Sequence, residues 1–262
     1  MKKTLFILFA SIVAACSSQP QKGTGETIWS LNSTFSRLGN KYAIADTNGV
    51  PVTDYLYDAL EGLSNGNILA TANGKQFILS KDGKRAADIE FDHFDYCFNG
   101  CAIIDNGGLY GLLATTGKLL LPAEYNSIKF ITPELAAATK GGCTVIVNNL
   151  GYVLEQTTLP PDSIEHNLSK YEELLRKKQI SDESYWNNLL DRYEALCNCC
   201  IEAKIVAKSS GRSHRQNSVI LQEIVKEAMA IGAMLDESSG QMTPPQLERF
   251  NTINDKYFNY EE

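Results

Sequence analysis

Cysteine, histidine and carboxylate side chains are where reactive chemistry would have to reside in this chain, and their spacing decides what that chemistry is. Cys197-Asn198-Cys199-Cys200 contains a C-x-x-C, the arrangement of redox pairs and of half a zinc site. Reactive thiols of that kind sit at a helix N-terminus, where the helix dipole lowers the thiol pKa. These lie well inside a predicted helix, with Cys197 and Cys200 on its apolar stripe. They read first as buried core cysteines, with disulfide partners and a metal or redox site as the alternatives. No second cysteine pair or nearby histidine completes a tetrahedral set. Cys97 and Cys101 flank Phe98-Asn99-Gly100. A tight Asn-Gly turn would set them opposite each other across a hairpin, close enough for a disulfide; the alternative is two small residues in a strand–loop contact. Cys143 precedes a strand and has no obvious partner.

The histidines, His93, His166 and His214, fall on different segments and read as surface or loop residues rather than ligands. Glu90, Asp92 and Asp95 surround His93, but strand alternation would spread them over both faces of a sheet. The chain has no G-x-S-x-G, no H-E-x-x-H and no phosphate-cradling G-x-x-x-x-G-K-[ST]. No catalytic residue, metal site or cofactor is expected. The aromatic residues Tyr57, Phe91 and Tyr125, with Tyr55, Phe94 and Tyr96, could line a strip on which sugars stack. Packing inside the fold is the stronger competing use for them.

The elements that position these residues start at the N-terminus. Lys2 and Lys3 precede an apolar run from Leu5 to Ala15 that ends Val13-Ala14-Ala15-Cys16. A charged start, a short apolar stretch and small residues before a cut mark a cleavable export signal over residues 1–15. At about 1.5 Å per residue the run covers only about half of a ~30 Å hydrocarbon core, too little for a membrane span. The Val-Ala-Ala-Cys ending resembles the lipobox of bacterial lipoproteins. That resemblance implies that Cys16 is acylated and becomes the membrane anchor, and Ser17 after it is similar to outer-membrane sorting signals. Residues 16–27, rich in small polar side chains, are then a flexible tether. Six cysteines remain once Cys16 is acylated, an even number suited to an oxidising compartment. Removing the signal takes two lysines away and moves the formal charge from −7 to −9. An acidic chain of this kind argues against nucleic acid, and a hydrophobic fraction of 44% excludes disorder throughout.

Residues 28–158 repeat. Gly49, Gly83, Gly117 and Gly151 share one 34-residue spacing. A second turn column reads Gly39-Asn40, Asn73-Gly74, Gly107-Gly108 and Gly141-Gly142. A third reads Tyr57, Phe91, Tyr125 and Leu159, followed by Asp58, Asp92 and Asn126. Two turn signals within about ten residues leave no room for helices, so the apolar segments between them are strands. About four three-stranded units, an antiparallel β-meander array, are predicted. The pattern resembles WG repeats, with Tyr110-Gly111, Gly117, Leu120, Pro122 and Tyr125 as the nearest copy. Tyr42-Ala43, Gln76-Phe77 and Thr144-Val145 depart from it, and no copy has the tryptophan. The resemblance implies a β-repeat fold and a binding surface, with no site to carry over.

After Pro160-Pro161 the apolar spacing becomes three and four. Trp186, Leu189, Leu190, Tyr193, Leu196, Cys197, Cys200, Ile201 and Ile205 form one helix face, and Ile220, Ile224, Ala228, Ile231 and Leu235 another. Thr243-Pro244-Pro245-Gln246 has the form of a capping box with proline at the first helical position, and Met242 and Leu247 that of a hydrophobic staple. A shorter helix is expected around 164–178. Residues 159–262 are therefore a predicted three- or four-helix bundle, and the fold class is α+β with strands and helices segregated. This ending looks like helical segments of other envelope lipoproteins. The expectation is a lipid-anchored protein of the bacterial envelope, associated with the outer membrane, that binds an envelope protein without catalysis. A glycan- or peptidoglycan-binding lipoprotein is the alternative, and a hydrolase with an unfamiliar site stays open behind both.

Overall fold

A computed structural model describes residues 25–97, 100–181, 183–210 and 215–258. The expected export signal, Cys16 and the chain up to residue 24 lie outside these residues. Within them the fold is α+β, with fourteen antiparallel strands in four small sheets followed by five α-helices. The first sheet holds β1 (Glu26–Ser30), β2 (Ser33–Leu38) and β3 (Lys41–Ala45), and the second β4 (Ala59–Gly62), β5 (Ile68–Ala72) and β6 (Lys75–Leu79). The third holds β7 (His93–Cys97), β8 (Cys101–Asn106), β9 (Leu109–Ala114) and β10 (Leu119–Tyr125). The fourth holds β11 (Ser127–Phe130), β12 (Leu135–Lys140), β13 (Cys143–Asn148) and β14 (Val153–Thr157). In the first two sheets an irregular segment takes the place of the fourth strand, joined by the bridges Ala45–Pro51 and Tyr42–Tyr57, then Leu79–Arg85 and Gln76–Phe91.

Strand alternation sends apolar side chains to both faces of each sheet, and consecutive sheets pack face to face. Phe35 and Ile44 meet Ile68, Ala70, Phe77 and Leu79 between the first and second sheets. Leu69 and Ile78 meet Ala102, Ile104 and Leu113 between the second and third. Leu112 meets Ala136, Ala138, Val145 and Val147 between the third and fourth. One aromatic residue of the 34-residue column sits in each of these cores: Tyr57, then Phe91, then Tyr125.

The two terminal sheets differ. The far face of the fourth, with Leu135, Ala137 and Ile146, is covered by the helices in a single core with Trp186, Leu190, Tyr193, Ile231, Leu235 and Phe250. The far face of the first carries the small buried residues Thr34, Ser36, Ala43 and Ala45, and Ser36 Oγ lies 2.8 Å from Tyr55 Oη.

The helices are α1 (Pro161–Glu165), α2 (Leu168–Ser181), α3 (Glu183–Ser210), α4 (Arg215–Glu237) and α5 (Pro244–Phe258). The expected apolar stripes are buried, from Leu189 to Ile201 on α3 and from Ile224 to Leu235 on α4, while Ile205 is exposed. The side chain of Ile220 lies outside those described. At the start of α5, Thr243 N–H donates to Gln246 Oε1 at 3.0 Å, with Pro244 at the first position. Met242 and Leu247 both pack against the helical core. Among the described residues no helix is long and apolar enough to cross a membrane.

Candidate functional site

Helix α3 runs along one end of all four sheets. Tyr152, in the turn before β14, has its hydroxyl 2.7 Å from Ser184 Oγ and accepts from Asn188 Nδ2 at 2.9 Å. Gly100, at the start of β8, approaches the Arg192 side chain so closely that a Cβ would lie 3.1 Å from Nε. Lys81, after β6, pairs with Glu202, and Asn32, before β2, reaches the same carboxylate at 3.4 Å. The stretch from Ser184 to Glu202 amounts to about 27 Å of helix.

Cavities open along this seam. One of about 240 Å³ lies between Asn65, Gly100, Thr115 and Asn149 on the turns and Asp191, Arg192 and Ala195 on α3. A second, of about 310 Å³, lies between Glu134 and Asn149 on one side and Arg192, Glu227 and Ile231 on the other. Arg192 lines both. Its Nε donates to Glu227 Oε1 at 2.9 Å, and Nη2 reaches the same oxygen. Both side chains are largely enclosed, at 14% and 13% exposure. Burial raises the pKa of Glu227 above the usual carboxylate range against the pull of Arg192. Burial does the same to Glu134, again opposed by Arg192 and assisted by the negative charge of Glu172.

These charges were legible by one signal. Arg192 falls three residues after Leu189 and four before Leu196, and Glu227 falls three after Ile224 and four before Ile231. Each is a charge on an apolar stripe, a position that helical geometry turns inward. What that signal could not show is that the two meet. The arrangement fixes α3 against α4.

The aromatic column has a different role from a sugar-stacking strip. Phe91 is fully enclosed, and Tyr57 and Tyr125 are each 8% exposed. Tyr57 lies edge-on to Phe77 and Phe91 stacks on Phe94, so their faces are spent on packing. A binding surface cannot be made from buried rings, and the three residues are placed as core between sheets. The Asp or Asn that follows each of these three aromatics binds the next hairpin. Asp58 Oδ2 accepts from Asn73 N–H at 3.0 Å, Asp92 Oδ2 from Gly107 N–H at 2.8 Å and Asn126 Oδ1 from Gly141 N–H at 3.3 Å. Lys41 pairs with Asp58 and Lys75 with Asp92, holding both carboxyls below the usual range.

Cys97 and Cys101 are direct partners in the β7–β8 register, and Cys101 is buried. The Cys97 side chain and residues 98–99 lie outside the described residues, and with them the expected disulfide. Cys197, Cys199 and Cys200 are buried in the middle of α3. Burial pushes the Cys197 thiol up to about 11 and raises Cys199 further, the opposite of what a reactive thiol needs. His93 and His166 are exposed and on separate elements, and His214 is outside the described residues. Among the described residues no three His, Cys, Asp or Glu side chains gather as a metal site would require.

Comparison of the chain with known protein families finds no match, and comparison with curated proteins finds none either.

Proposed function

We propose that the chain is a bacterial envelope lipoprotein, anchored through an acylated Cys16, that works without catalysis as a protein-interaction or assembly module. In this reading the four sheets are a degenerate WG-type repeat array, and the helices are a bundle that clamps it. The observation that carries the reading is the difference between the two ends of the sheets. One end is occupied by α3. At the other, the turns with Gly39, Gly74, Gly107 and Gly141 stand open, with nothing within 4 Å of an added Cβ. A row of open turns on a stack of rigid sheets is an extended surface suited to a protein partner. The bonds from Asp58, Asp92 and Asn126 to the next turn, each 34 residues on from the last, support the repeat assignment.

The alternative, a glycan or peptidoglycan binder, rests on an open groove of about 590 Å³ at the edges of the first two sheets. There Tyr55, Lys41, Lys75 and Glu90 offer polar atoms suited to sugar hydroxyls.

Site-specific photocrosslinking in envelope preparations tests both. Reactive groups replace Leu38 or Leu109, beside the open turns, or Met229, exposed on α4. Capture of the same protein from positions 38 and 109, with none from 229, is the expected result. Capture from 229 alone moves the working surface to the helices. Glycan recovered with the parent chain and lost with Tyr55→Ala favours the alternative.

A further inference from the structure

The outer edge of the first sheet differs from the same edge of the next two. The segment 50–57 runs antiparallel beside β3 through its bridges at Pro51 and Tyr57. It leaves Val50, Val52 and Leu56 exposed at 55%, 60% and 58%. Thirty-four residues on from Val50 and Leu56 stand Lys84 and Glu90, and after another 34 Lys118 and Glu124. Charges on a sheet edge keep it from joining other surfaces. The first sheet has branched apolar side chains in their place, and an apolar patch of this kind marks a contact.

The course of the chain identifies what is contacted. Gly25, at the start of the first sheet, packs beside this segment, and a Cβ on it would lie 2.6 Å from Tyr55 Oη. Thr27 packs against Gly49, the turn that leads into the same edge. Eight residues lie between Cys16 and Gly25, so the nine steps span at most about 32 Å of fully extended chain. A chain held to a bilayer at Cys16 brings this edge within reach of the lipid, while the fourth sheet lies at the far end of the stack. Tethering raises the effective concentration so far that a weak apolar contact suffices.

We propose that Val50, Val52 and Leu56 rest on the lipid surface and so set the orientation of the whole stack relative to the membrane. The proposal rests on the anchored reading of Cys16. Asp54 is the single charged residue from 50 to 57, so the contact is apolar in character.

The test uses the mature chain from Ser17 to Glu262, held by an N-terminal hexahistidine tag to phosphatidylcholine vesicles that contain a nickel-chelating lipid. The tag stands in for the acyl chains, so the result is independent of Cys16, whose acylation is decided separately by the intact mass of the envelope form. A photoreactive residue replaces Leu56 in one version and Leu109 in another. The expected result is lipid adduct from position 56 at least about fivefold above that from 109, since apolar burial scales with the area in contact. Adding Val50→Ser and Val52→Ser should bring it down to the level of 109 while the thermal midpoint stays that of the parent. Equal adducts from 56 and 109 would overturn the proposal, as would adduct unaffected by the two serines. So would crosslinks from 56 that go to a second copy or to residues 17–24 instead of lipid.

Discussion

Gly117 and Gly74 occupy turns at opposite ends of the sheets, and both have positive φ, +94° and +76°. The resemblance ends there. A Cβ on Gly117 would lie 2.6 Å from the carbonyl oxygen of Ala86, in the edge segment of the preceding sheet. A Cβ on Gly74 would meet nothing within 4 Å. One glycine serves both the turn and the approach of two sheets; the other serves the turn alone. Periodic glycine therefore reports hairpins throughout the β region, but close contact between sheets at one end only. That end is where α3 lies.

The closed end is broken most severely at its helical wall. Trp186→Ala, within the core shared by the helices and the fourth sheet, should cost about 4 kcal/mol, read as a fall in the urea midpoint. A loss below about 1 kcal/mol would mean that the helices do not hold the sheets. The glycine pair sharpens the comparison directly. Gly117→Ala should cost about 3 kcal/mol, from backbone strain plus the clash with Ala86, and Gly74→Ala about 1 kcal/mol from strain alone. Equal losses would erase the distinction between the ends.

A smaller effect tests the seam electrostatics. Burial holds the Glu134 carboxyl above its ordinary value, so the folded state binds that proton more tightly than the unfolded state does. The associated stability is full below the ordinary carboxylate range and is lost as pH rises through the folded value. Glu134→Gln should therefore melt above the parent at about pH 7.5 and with it at about pH 4. A lower melting point at the higher pH would show that attraction to Arg192 outweighs burial. Smallest of all is the bond from Asp92 to the open turn. Asp92→Asn should leave Gly107 amide exchange within about twofold of the parent, because Asn126 makes the equivalent bond with an amide. Asp92→Ala should speed it by about tenfold.

Local chemistry made much of this fold legible in the sequence. The turns followed from Gly and Asn spacing, and the start of α5 from Thr243, Pro244 and Gln246, because each depends on neighbours within a few residues. The shared core of the helices and the fourth sheet was less accessible, although a signal existed. Leu135-Ala136-Ala137-Ala138 and Val145-Ile146-Val147 are apolar without alternation, the mark of strands buried on both faces. Something had to cover the second face, and after residue 158 only helices remained. The pairing of Arg192 with Glu227 depends on how two helices cross, and no spacing along one chain contains that angle. The aromatic column was found readily as a pattern. Whether its rings faced solvent or a neighbouring sheet turned on the stacking, which lies beyond the individual sheet.

The length of α3 sets a count. Its contacts pass from the fourth sheet at Ser184 to the first at Glu202, so three intervals share about 27 Å, a mean of about 9 Å, close to the ~10 Å at which sheets stack. About six residues of helix correspond to one sheet. The helix is thus a ruler with one division to spare: the eight residues of α3 beyond Glu202, up to Ser210, exceed one such interval, so a chain that gained a fifth sheet by duplication would still meet the helix without lengthening it.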